Sequence, residues 1–96
     1  MKLETVLQHI QEKLSELQRF GVKTLAVFGS TARQEATPSS DIDILVTFHT
    51  PPTFDQYIET KLFLEDLLGC RVDLVTQDGL KPLVRAEVEK EAIYVA

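Results

Sequence analysis

The chain has 96 residues, 44% of them hydrophobic, with 15 acidic against 10 basic side chains and a formal charge of −5. That length and apolar content suit one compact core, so a single domain over residues 1–96 is expected; split in two, neither half would bury its apolar surface. The acidic balance argues against a broad DNA- or RNA-binding surface, which needs clustered Lys and Arg. No apolar run approaches bilayer length and no leader pattern opens the chain, so a soluble cytoplasmic protein is expected.

Leu3, Val6, Leu7, Ile10, Leu14, Leu17 and Phe20 recur at spacings of three and four, which predicts one helix with a single buried face, stopped by Gly21. Thr24 to Phe28 is a short β-prone run between Gly21 and Gly29, as a central strand would be. Ser30 to Glu35 is polar and suits one or two helical turns, and Ala36 to Ser40, with Pro38 and two serines, reads as loop. A second strand is expected from about Asp41 to Phe48. Thr50-Pro51-Pro52 ends it, and Thr53 with Gln56 has the spacing of a capping box for a helix over Phe54 to Leu68, closed by Gly69. The third strand is Arg71 to Thr76. Asp78-Gly79 then turns the chain into a last helix over Leu80 to Ala92, with Pro82 in its first turn, where proline is tolerated. The pattern predicts an α/β (α+β) fold, a small sheet flanked by helices, without fixing strand order or direction.

Side chains alternate along a strand, so Asp41 and Asp43 project from one face while Ile42, Ile44, Val46 and Phe48 project from the other. Two like charges so close repel by several kcal/mol at an effective dielectric of about 20. Water, a shared proton or a cation must compensate them. Water is the ordinary answer for an isolated D-x-D, and two further features shift the weight. Asp73 interrupts the third strand; should that strand neighbour the second, three carboxylates would gather. Hard oxygen ligands of this kind suit Mg²⁺, and two such ions bridged by the pair would clamp the attacking and leaving oxygens of a phosphoryl or nucleotidyl transfer. Gly29-Ser30, between a strand and a helical turn, offers close backbone approach, unpaired N–H groups and a hydroxyl to a phosphate. Arg33, one turn on, would reach phosphate, brace the acids or lie solvated.

His9 and His49 lack a second ligand at metal spacing and read as surface or packing residues. Tyr57 and Tyr94 suit purine stacking or, more commonly, the core. Cys70 reads as a small buried hydrophobe, and the acids of the last helix, Glu87, Glu89 and Glu91, as a solvated face.

Gly29-Ser30-x-x-Arg33, Ser40-Asp41-Ile42-Asp43-Ile44-Leu45-Val46 and the later Asp73 resemble the minimal nucleotidyltransferases, or MNT proteins, of the DNA polymerase beta superfamily. The likeness extends to the closing Lys81-Pro82-Leu83, Glu91-Ala92 and Tyr94. It implies a mixed sheet with the D-x-D on one strand and the third acid on the next. It also implies a nucleoside triphosphate, usually ATP, with its phosphates at Gly29 and Ser30 and Mg²⁺ on Asp41, Asp43 and Asp73. An acceptor hydroxyl attacks the α-phosphate and pyrophosphate leaves. Gln34 departs from the glycine many relatives carry after the arginine. The resemblance further implies a HEPN-domain ribonuclease toxin as partner, modified with AMP by an antitoxin of this kind. Transfer to a small hydroxyl compound such as an aminoglycoside, with a homo-oligomer completing the pocket, and neutralisation of the partner by contact alone are the alternatives.

Overall fold

The computed structural model describes residues 1–37 and 40–96. In chain order the elements are α1 (Leu3–Glu12), α2 (Leu14–Arg19), β1 (Val22–Phe28), α3 (Gly29–Ala32), β2 (Ile42–Phe48), α4 (Phe54–Leu68), β3 (Val72–Thr76), α5 (Pro82–Glu91) and β4 (Ile93–Tyr94), with a 3₁₀ turn at Gln77–Gly79. The strands form one mixed sheet in the order β3-β2-β1-β4. β1 is antiparallel to both of its neighbours, and β2 runs parallel to β3.

Alternation along the strands sorts the apolar residues onto two faces. One face is the main core, where Leu25, Val27, Ile42, Ile44, Val46, Val72 and Leu74 pack against Val6, Ile10 and Leu17 of the first helices and Leu64 and Leu68 of α4. The other face is smaller: Ala26 and Leu45 lie under Val88 of α5, with Phe28, Leu80 and Ala92 at the margin. A side chain such as Ile44, fully buried, contributes about 1.5–3 kcal/mol through the water it excludes. The same strands carry the polar residues of the site on the α5 face.

α4 has the predicted bounds, and its cap is the predicted one. The Gln56 N–H donates to Thr53 Oγ1 at 3.1 Å, the Gln56 side chain accepts from the Thr53 N–H at 3.4 Å, and Gly69 closes the helix in the left-handed region at φ 69°. Gly21, at φ 87°, likewise turns the chain after α2.

Several expectations need correction. The first helix is two, because at Lys13 the ladder tightens to a bond onto the Ile10 carbonyl, 3.1 Å, before Leu17 resumes onto Lys13. No proline or glycine marks the break. β1 begins two residues early, at Val22, across an irregularity in its pairing with β2. The last helix ends about where expected, at Glu91, but starts at Pro82 rather than Leu80, and Ile93–Tyr94 forms a fourth strand absent from the sequence reading. Two residues are too short for a periodicity to show; the strand exists because β1 presents an open edge, to which Val95 also donates, at the Leu25 carbonyl, 2.8 Å. The loop expected over Ala36 to Ser40 falls partly on Pro38 and Ser39, outside the described residues. No helix among the described residues is long and apolar enough to cross a membrane.

Candidate active site

The acids gather at the sheet end where β1 finishes and β2 and β3 begin. β2 and β3 are in register with Asp43 directly beside Asp73, so both carboxylates stand on the same face, with strands about 4.8 Å apart. The Ile42 N–H donates to the Arg71 carbonyl at 3.0 Å and fixes that register at its first residue. Asp41 lies one position before β2, with its side chain exposed. Asp73 is exposed and Asp43 half-buried. The acidic end of the sheet is therefore an open face.

Asp43 is the perturbed member. Burial, then the charge of Asp73 and a hydrogen bond with it, then the charge of Asp41, hold its carboxyl above the ordinary range; only the Arg33 guanidinium pulls the other way. Repulsion between unit charges about 5 Å apart amounts to about 1–3 kcal/mol for effective dielectrics between water and a protein surface. A divalent cation relieves that repulsion. Among the described residues no three metal-ligating side chains converge into a ready cage. The donor set nonetheless fits Mg²⁺, which is commonly held by one or two carboxylates together with substrate phosphates and water, and the Asp43–Asp73 pair supplies two hard-oxygen ligands side by side.

Gly29 is the corner. Its φ of 71° lies in the left-handed region, and a Cβ placed there would stand 2.1 Å from Asp43 Oδ2. Only glycine allows β1 to turn into α3 this close to the carboxylate. Ser30 follows in the same turn, partly exposed. Its carbonyl accepts from the Glu35 N–H at 2.8 Å, which closes the short helix. Gln34 then adopts φ 60°, the conformation that a glycine at this position would take without strain.

Arg33 does not brace the acids directly. Its Nε donates to Glu35 at 2.9 Å and a terminal nitrogen donates to Glu91 at 3.0 Å; these two contacts, in that order, raise its already high pKa. Glu91 also accepts from the Gly29 N–H at 2.9 Å. This corrects the reading of the α5 acids as one solvated face. Glu89 fits that reading, paired with Arg85 at 2.8 Å one helical turn apart, but Glu91, at the last position of the helix, reaches across to the corner. Nothing in the spacing of Glu87, Glu89 and Glu91 distinguishes it; the contact exists because β4 turns back along β1 and carries the end of α5 over Gly29.

Tyr57 is a core tyrosine: its hydroxyl donates to the Leu74 carbonyl from the α4 side, and burial, then Asp73, raise its pKa. Tyr94 lies half-exposed on β4. Cys70 is partly buried against the main core, and burial raises its thiol pKa.

Strand, glycine corner, returning D-x-D strand and a parallel neighbour bearing the third acid all lie within residues 7–95, which match the nucleotidyltransferase domain family. The chain belongs to the nucleotidyltransferase domain family. Protein adenylyltransferase MntA of Thermococcus cleftensis is 44% identical over 94 residues, spanning 98% of this chain and 93% of that protein. A solved structure described as a minimal nucleotidyltransferase superposes with a TM-score of 0.86 at 45% identity, over 97% of this chain and 95% of the other. A chain in the complex of tri-AMPylated Shewanella oneidensis HEPN toxin with MNT antitoxin superposes with a TM-score of 0.68 at 20% identity, over 94% of this chain and 71% of that one, a likeness of fold alone. The family accounts for the mixed sheet and the nucleotidyltransferase chemistry.

Proposed function

We propose that this nucleotidyltransferase moves AMP from ATP to a hydroxyl of a partner protein, a HEPN-type toxin, and thereby acts as a cytoplasmic antitoxin. The observation that carries the reading is the register of Asp43 beside Asp73, on strands that start next to the Gly29 corner. Support for the acceptor comes from the name of the Thermococcus relative, a protein adenylyltransferase, and from the AMP-bearing HEPN toxin in the Shewanella complex.

In this reading Gly29, Ser30 and Arg33 bind the triphosphate through a backbone N–H, a hydroxyl and a guanidinium. Asp41, Asp43 and Asp73 would hold Mg²⁺, which when bound supplies charge neutralisation at the phosphates. Asp73, exposed on the open face, would act as metal ligand or as the base that takes the acceptor hydroxyl's proton. The acceptor oxygen forms a bond to the α-phosphorus, the bond from that phosphorus to the bridging oxygen breaks, and pyrophosphate leaves. An open acidic face suits a hydroxyl presented by another protein better than a small compound that needs enclosing walls.

The test is the Asp41→Asn/Asp43→Asn double variant, incubated with the partner, Mg²⁺ and labelled ATP. Loss of label from the partner together with loss of neutralisation is expected. Neutralisation equal to the parent's, without label, would transfer the function to contact alone.

A further inference from the structure

Glu91 sits on the donors that the proposed function gives to phosphate. One carboxylate oxygen takes the Gly29 N–H at 2.9 Å and the other takes Arg33 at 3.0 Å. Carboxylate and phosphate present the same kind of paired anionic oxygens, and arginine recognises both in this manner. A single N–H cannot serve Glu91 and a phosphate oxygen at full strength, and two anions at one corner repel. We propose that Glu91 is an internal competitor for the triphosphate, a carboxylate resident on the phosphate donors that nucleotide must displace. The inference rests on reading Gly29, Ser30 and Arg33 as the phosphate corner.

The geometry permits displacement. The side chains of Glu91 and Arg33 are 31% and 49% exposed, so the pair opens towards water rather than into the core. Glu91 is also the last residue of α5, and no further helical turn covers it. Arg33 keeps Glu35 as a second partner when Glu91 leaves, so its charge is not stranded. Glu35 accepts Arg33 Nε through its side chain, whereas the Gly29 N–H is held by Glu91. That difference separates competition for the corner from a general effect of negative charge.

The experiment is calorimetric titration of the whole chain with ATP and, separately, inorganic tripolyphosphate, for the parent, Glu91→Ala, Glu91→Gln and Glu35→Gln, with melting curves to confirm folding. Displacement predicts that both Glu91 variants bind each probe about tenfold tighter or more, since a charge-assisted pair no longer has to break. Glu35→Gln is expected to gain no more than about twofold, since the Gly29 N–H stays occupied. Glu91→Gln keeps the shape of the side chain and carries the test if the alanine variant folds poorly. Unchanged or weaker binding in the Glu91 variants, with the parent binding ATP, overturns the competitor and leaves Glu91 as a strut between α5 and α3. An equal gain in Glu35→Gln also overturns it, in favour of general charge. Binding of neither probe to any of the four proteins overturns the phosphate-corner reading itself, and the inference with it.

Discussion

Gly29→Ala tests the corner with one methyl group. At φ 71° alanine pays the left-handed penalty, about 1–2 kcal/mol. The new Cβ would also stand 2.1 Å from Asp43 Oδ2, 3.0 Å from its Cγ and 3.2 Å from its Cβ, against an ordinary contact of 3.4–4 Å. The carboxylate must therefore move by more than about 1 Å, and overpacking of this kind typically adds about 1–3 kcal/mol. The total expected loss of stability is about 2–5 kcal/mol, and a displacement of more than about 1 Å at a reacting centre is expected to lower AMP transfer about 100-fold. The two contributions separate in a double-mutant cycle. With Asp43→Ala already present, Oδ2 and Cγ are gone and only the 3.2 Å approach to the Cβ remains, so Gly29→Ala should cost little beyond the backbone term of about 1–2 kcal/mol. Urea denaturation of the four proteins gives the energies, and labelling of the partner by the parent and Gly29→Ala gives the rate. An equal cost in both backgrounds, or parental labelling by Gly29→Ala, would refute the packing of the corner against the carboxylate.

Three further substitutions probe the frame. Asp43→Asn should stabilise the protein in EDTA at neutral pH by about 1–3 kcal/mol, the repulsion estimated for neighbouring charges. The sign follows from a folded-state pKa raised above the unfolded one: the parent's stability at this group is full below about pH 4 and is lost as pH rises through the raised value, so the gain should grow from about pH 4 to pH 7 in parallel melts. Gln34→Gly should add about 0.5–1 kcal/mol in urea denaturation, since relief of the left-handed strain outweighs the greater freedom of glycine in the unfolded chain. Thr53→Ala should remove about 1 kcal/mol by deleting half of the capping box of α4, measured the same way.

The parts of the fold legible in the sequence are those with a local physical cause. The bounds of α4 follow from Thr53, Gln56 and Gly69, and the stop after Phe20 from Gly21. Asp41, Asp43 and Asp73 stood out because an acid inside an apolar strand is costly, and pairing β2 with β3 brought Asp43 and Asp73 together. What the sequence did not show depends on contacts far along the chain. β4 exists through its pairing with β1, and Glu91 meets Gly29 across 62 positions. The break at Lys13 has no residue-type signal at all. Arg33 was recognisable as a residue of the corner, but its partners, Glu35 and Glu91, were not.

The most direct test of the account is the intact mass of a HEPN-type partner co-expressed with this chain, compared with the same partner co-expressed with Asp41→Asn/Asp43→Asn. The account predicts one or more AMP increments on the partner beside the parent and none beside the variant. An unmodified partner beside the parent, in cells where the toxin is nonetheless silenced, would contradict it.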